Sequence, residues 1–353
     1  MGGMSGSSVS VSGGASALVT RFPWLEGQPV CDGLWPWSAP YLPIGADLGI
    51  QIRRYRDAGF THASFTAASG QEMETEALVN LGSLEQDLRA EGVTIAHNEN
   101  AIRAAMEAGR FSASFHFQSS TPFTRSLDMV DAFLSAGIQR AILAYNEANI
   151  FADGCHEARN AGLSARGREL VRRMDAAGMR IDLTHCGERA SFDVLEMELA
   201  HPPIFSHSNA RALYEHERNI TDTQIRTARD AGSYIGINGV GFFLGATGVD
   251  IPKEMARHAA HIAEIAGADK LGVGLDYMYL DGSDYGFYHS QKHRWPRGYP
   301  TPPWSFFEPE QLGDLVQELL AIGFDKGEIR GILGENYLRL TMADATRLPL
   351  PKP

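Results

Sequence analysis

The chain has 353 residues, 44% of them hydrophobic, and 31 Lys and Arg against 43 Asp and Glu give a formal net charge of −12. That balance repels phosphate backbones and argues against a nucleic-acid partner, and no apolar run is long enough to span a bilayer. Three cysteines, Cys31, Cys155 and Cys186, lack CxxC spacing and are too few for a disulfide framework, which points to a reducing, cytoplasmic setting.

Residues 1–20, rich in Gly and Ser from Met1 to Ser16, read as a flexible tail without the basic start and apolar stretch of a signal peptide. From residue 21 to 353 a single domain is expected. A helix that stops at glycine, followed by a compact apolar strand, recurs along it. Ala58-Gly59 precedes Phe60 to Thr66, Gly109 precedes Phe111 to Gln118, and Ala136-Gly137 precedes Ile138 to Tyr145. Ala177-Gly178 precedes Met179 to Thr184, and Ala231-Gly232 precedes Ser233 to Asn238. Glycine accepts the left-handed backbone that ends a helix. Val30 to Leu34, Pro203 to Ser206 and Leu271 to Leu275 bring the predicted strands to eight.

Between most of the strands run stretches of helical period. Arg168 to Ala177 puts Leu170, Val171 and Met174 on one face, and Ser164 is its expected N-cap. Alternating strands and helices imply a parallel sheet, and eight units close into a (β/α)8 TIM barrel of roughly 250 residues or more. A doubly wound sheet is the other candidate, but no Gly-rich phosphate loop follows the first strand. The stretch after the last strand, residues 277–309, breaks the pattern. It is rich in Gly, Pro, Tyr, Trp and His and reads as a long loop over the barrel mouth, with His289, His293, Trp295 and Trp304 among its candidates for contact with a ligand.

In a barrel the C-terminal strand ends converge on one site. His185 ends the fifth predicted strand, His207 the sixth and Asp276 the eighth. Two imidazoles and a carboxylate suit a divalent metal and a proton carrier. His116 shares a strand face with Gln118, one layer deeper, and is either a core histidine or a further ligand. His258 and His261, at helical spacing, read as a packing or solvated face.

Six segments then carry a resemblance. They are Ile181-Asp182-Leu183-Thr184-His185, Phe205-Ser206-His207-Ser208-Asn209-Ala210-Arg211, Arg218-Asn219-Ile220-Thr221-Asp222, Ile235-Gly236-Ile237-Asn238, Gly272-Val273-Gly274-Leu275-Asp276 and Gly334-Glu335-Asn336. In order and spacing they resemble the successive motifs of the membrane (renal) dipeptidase family, from about Gly162 to Leu340. The resemblance implies an amidohydrolase-like, metallo-dependent hydrolase barrel. In that family two zinc ions share a bridging glutamate and activate a hydroxide that attacks a dipeptide carbonyl. It further implies that His185 and His207 ligate the second metal, that Arg218 grips the substrate carboxylate and that Asp276 shuttles the proton. The alternative role for Arg218 is a surface salt bridge in a helix-entry loop.

The chain departs from that pattern at three places. The His-x-Asp metal pair expected on the first strand is absent from Cys31-Asp32-Gly33-Leu34-Trp35-Pro36-Trp37. Gln118 stands where the bridging glutamate belongs, and Tyr145 where a substrate-polarising histidine belongs. With Asn238, these two become substrate-facing candidates. The expectation is a hydrolase of a small, carboxylate-bearing amide, cytoplasmic, with at most one divalent ion, zinc by preference. The rival readings are a metal-free lyase, isomerase or transferase using Asp276 and the histidines for acid–base chemistry, and an inactive binding homologue. A small molecule is the expected partner, and a homodimer is left open.

Overall fold

The computed structural model describes residues 15–37, 42–43, 45–280, 285–290 and 299–342. Most of the expected tail, and His293 and Trp295 of the long loop, lie outside the described residues. Eight strands appear in chain order: β1 (Cys31–Trp35), β2 (His62–Ala68), β3 (Thr94–Ile95), β4 (Ser112–Phe117), β5 (Ile138–Ile142), β6 (Arg180–Asp182), β7 (Ile235–Ile237) and β8 (Leu271–Val273). All the pairings between them are parallel, in the order β1-β2-β4-β5-β6, with β3 beside the start of β4 and with β7 beside β8. Single parallel bridges, Asp182 to Ile204 and Phe205 to Ile235, carry the ladder from β6 to β7. The amide of Asp276 donates to the Leu34 carbonyl at 3.0 Å and joins the last stave to the first. Eight staves therefore close, the sixth being the short stretch at 204–205.

Each sequence-predicted strand has its counterpart with shifted ends: β1 and β2 run one and two residues past the predicted C-terminal ends, and the others are shorter. Strand β3 was not anticipated: two residues pairing with Ser112 and Ala113 are too few to leave a periodic signal. Helix Ala165–Ala177 begins where expected, with Ser164 accepting from the Gly167 amide, and ends at Gly178 with φ 84°. Gly59 ends helix Leu48–Ala58 with φ 124°, where a Cβ would also press to 2.7 Å from Leu18.

The staves are not uniformly apolar. Ala63, Phe65, Ala113 and Phe115 belong to the hydrophobic core, while His62, Ser64, Thr66, Ser112, Ser114 and His116 alternate with them. This is the period of two expected of extended chain. His62 bonds Ser112 and Ser114 through its two ring nitrogens, at 2.9 and 3.1 Å. Arg140 bonds Ser64 and the Gly33 carbonyl and lies 3.4 Å from Asp182. The barrel interior is thus a polar column, held by hydrogen bonds and by the buried Arg140–Asp182 ion pair. Among the described residues no helix is long and apolar enough to cross a membrane.

Candidate functional site at the strand ends

The buried carboxylate of Asp182, at the end of β6, organises two neighbouring stave ends. Its Oδ1 accepts from the amides of Thr184 and Ser206, each at 3.1 Å. His185 and His207 follow these residues and are brought together, Nε2 to Nε2, at 3.1 Å. The remaining nitrogen of each ring is held: His185 Nδ1 by Asn146 Oδ1 at 2.7 Å, and His207 Nδ1 by Ser206 Oγ at 2.7 Å. Asp276 completes the group, its Oδ2 3.9 Å from His207 Nε2 and 3.1 Å from the Asn238 amide nitrogen that donates to it. His185, Asp276 and Asn146 all take positive φ, of 67°, 54° and 60°. Non-glycine residues seldom do so, and such strain concentrates where side chains are aimed for function.

Electrostatics follow from burial. His185 and His207 are both driven well below the ordinary imidazole range, first by desolvation and then by the nearby Arg218 charge, so both are neutral. Burial pushes Asp276 up to about 6, against the opposing pull of Arg218 and the Asn238 hydrogen bond. Arg218 is itself 2% exposed. Its Nη2 reaches the His207 carbonyl at 3.3 Å and its guanidinium sits over Phe243 at 5.1 Å, but its Nε has no partner and no carboxylate pairs with it among the described residues. The surface ion pair that sequence allowed as its alternative role is therefore not what the structure contains.

Of the two ion sites in the family pattern that the sequence resembles, the residues present fit one, as expected of at most one ion. Two zinc–nitrogen bonds of about 2.0–2.1 Å at a tetrahedral angle separate their nitrogens by roughly 3.3 Å, close to the 3.1 Å between these neutral rings. The donors for a second ion are missing. A mouth-facing His-x-Asp pair would need the inward positions after Asp32, and these carry the carbon-only side chains of Leu34 and Pro36. The Gln118 amide is committed to Thr66 Oγ1 at 2.9 Å, and the Tyr145 ring stacks on His185 with centroids 4.0 Å apart. Among the described residues no group of three or more His, Cys, Asp or Glu is already drawn together as a metal cage.

His116 is not brought to the pair: Ser64 and Thr66 occupy its two nitrogens, at 2.8 and 2.9 Å, inside the barrel. His258 is buried and accepts from the Ala210 amide, and His261 contacts Asp222, so both serve their helix rather than the mouth. Asn238 faces Asp276. Gly334-Glu335-Asn336 lies at the opposite end of the barrel, where Asn336 donates to the carbonyls of Ala268 and Leu271 beneath β8.

Gln118, Tyr145, His185 and Asp276 line a cavity of about 50 Å³, roofed by Tyr299 and Trp304. His207 and Arg218 lie behind its wall. Such a space holds a few waters, so a larger ligand requires the roof to move. Beside it a cleft of about 630 Å³ shares Met278, Trp304 and Phe306 as a partition. Sequence reasoning missed Asn146 and Tyr299. Asn146 follows Tyr145, and asparagine's tolerance of left-handed backbone was the available signal. Tyr299 lay unremarked within an aromatic-rich loop.

Comparison with known proteins bears on the fold and the family. The family model described as membrane dipeptidase (peptidase family M19) matches residues 60–350. A Klebsiella pneumoniae protein from the pqqA 5′ region is 28% identical over 271 residues, 70% of this chain and 90% of that one. An uncharacterized dipeptidase of Schizosaccharomyces pombe is 27% identical over 69% of this chain, and dipeptidase tcpJ of Claviceps purpurea 25% over 72%. The matches span 55% and 56% of these two fungal proteins, so the chain covers about half their length. A Pseudomonas aeruginosa amidohydrolase structure superposes with TM-score 0.80 at 25% identity, covering 90% of this chain and 97% of that one.

Proposed function

The chain belongs to the membrane dipeptidase family and is a dipeptidase-like hydrolase, and from that premise we propose that it cleaves a small dipeptide-like amide bearing a free carboxylate, with one divalent ion where the family pattern has two. The observation that carries this reading is the pair of neutral imidazoles, Nε2 to Nε2 at 3.1 Å, beside the Asp276 carboxylate. His185 and His207 would hold the ion, zinc by the nature of its donors, with Asp276 the nearest carboxylate. When bound, the ion supplies Lewis-acid polarisation of the scissile carbonyl.

The chain's own groups supply the rest. Asp276, poised near 6, takes a proton from the attacking water as the C–O bond forms, and returns it to the nitrogen as the C–N bond breaks. Asn238 holds that carboxylate in place. Arg218, a buried cation lacking a carboxylate, receives the substrate carboxylate as a charge-assisted clamp once Tyr299 and Phe243 give way. Gln118 and Tyr145, in the cavity wall, contact the amide being cut. We read residues 21–353 as one barrel domain behind a Gly/Ser-rich tail, and the reducing cytoplasm as its setting, since Cys31, Cys155 and Cys186 are all unpaired.

The test is turnover of a dipeptide library by zinc-reconstituted and chelator-treated protein. Zinc-dependent cleavage is expected. Turnover of another metabolite class without metal would move the assignment to acid–base chemistry by Asp276 and the histidines. Absence of any turnover, with retained ligand binding, would make the chain a binding homologue.

A further inference from the structure

His185 faces His207 through Nε2, so only the tautomer protonated at Nδ1 keeps the Nε2 lone pair available on that side. The atom opposite Nδ1 is Oδ1 of Asn146, at 2.7 Å. Two further contacts orient this amide. The Cys155 thiol, a donor and a poor acceptor, points at the same Oδ1 at 3.4 Å, and Nδ2 donates to the Tyr299 hydroxyl at 3.3 Å.

The amide is also fixed from its backbone outward. Asn146 is 1% exposed and has φ 60°. Its carbonyl accepts from the His156 amide at 2.8 Å, and Gly154 packs so closely that a Cβ there would come within 2.1 Å of the Asn146 carbonyl carbon. The side chain therefore cannot drift from the ring it faces without undoing a packed turn.

We infer that Asn146 is a positioning residue that locks His185 in its Nδ1-protonated tautomer and thereby keeps Nε2 unprotonated, an acceptor from His207 Nε2 in the metal-free chain. Its use in metal binding rests on the one-ion reading above, whereas the tautomer belongs to the metal-free chain. Groups that orient a metal-binding histidine typically contribute about 10- to 100-fold in metal affinity. The same amide ties His185 to Tyr299 in the cavity roof, so movement of the roof would remove one of its two orienting contacts.

The experiment uses metal-free, full-length protein labelled with ¹⁵N-histidine, with the His185 signals assigned by their loss in His185→Gln. Long-range ¹H–¹⁵N correlation should show Nδ1 protonated and Nε2 bare in the wild type and in Asn146→Asp, which keeps an acceptor. Asn146→Leu, similar in size and without an acceptor, should populate the opposite tautomer. Chelator competition should then find zinc bound 10- to 100-fold more weakly by Asn146→Leu and within a few-fold of wild type by Asn146→Asp. A wild-type His185 protonated at Nε2, or a tautomer unchanged in Asn146→Leu, would overturn the inference. If the tautomer responds as expected while zinc binds none of the proteins, the role of Asn146 stands and the one-ion reading falls.

Discussion

The two sides of the barrel mouth carry different chemistry. On one side, the ends of β6, of the stave at 204–205 and of β8 carry His185, His207 and Asp276, each held by a second polar group, Asn146, Ser206 and Asn238 respectively. On the other, the ends of β1, β4 and β5 carry Leu34 and Pro36, Gln118 and Tyr145, a set offering two hydrocarbon side chains, an amide and a phenol. Beneath the second side the polar groups are held: Asp32 accepts from two amides and from Tyr55, and His116 bonds two hydroxyls. The contrast is one of chemistry at the rim: the first side offers two held imidazoles and a carboxylate, and the second offers none of these.

The largest effect should come from the retained side. Asp276→Asn preserves shape and removes the titrating group, so turnover should fall by at least about 10²-fold, with thermal denaturation showing that the protein still folds. Near-normal turnover would mean that Asp276 only supports the turn that follows it. Next comes Arg218→Met, which keeps bulk and removes the charge. A lost carboxylate clamp costs about 1.5–3 kcal/mol, so KM or Kd for a carboxylate-bearing ligand should rise roughly 10- to 100-fold. Because no carboxylate pairs with the buried native cation among the described residues, stability should hold or increase. Collapse of the fold with unchanged ligand affinity would remove Arg218 from the site.

Smaller effects probe the layer below. His116→Ala leaves Ser64 and Thr66 without their shared partner and opens a cavity, so unfolding stability should drop by about 2–4 kcal/mol. Metal content per folded chain should be unchanged, and its loss would make His116 a ligand. Asp32 gives a pH signal. Burial lifts it from 3.8 to about 7 in the folded protein. For a carboxyl raised by folding, the associated stability is complete below the unfolded value near 3.8 and is lost as pH climbs through the folded value. Relative to Asp32→Asn, wild-type unfolding free energy should therefore fall progressively from pH 4 to 7, by about 1.4 kcal/mol per pH unit at most, and Tm with it. A Tm difference that is flat over this range would show Asp32 ionised throughout.

Much of this was legible in sequence because the governing signals are local. A glycine stop followed by a run of strand-forming residues marks a stave, and five such marks with three further apolar runs imply eight staves and closure. His185, His207 and Asp276 were legible because each ends a stave, and the barrel brings stave ends together. What escaped depends on side chains meeting across the sequence. Strands β2 and β4 read as apolar, although His62, Ser64 and Thr66 alternate with Ala63 and Phe65, and only pairing with Ser112, Ser114 and His116 turns the polar set into an interior. Arg218 looked like a residue of an exposed loop until the aromatic packing of Phe243 and the His207 carbonyl buried it. Tyr299 and Asn146 lie 153 residues apart, and no local pattern announces their contact.

The contrast between the two sides of the mouth is tested most directly by counting metal. Protein expressed with supplemental zinc, passed through gel filtration and measured by elemental analysis should retain at most one equivalent per chain, and His185→Gln should abolish it. Two equivalents retained by the wild-type chain would contradict the account, because the side bearing Leu34, Pro36, Gln118 and Tyr145 would then have to hold an ion.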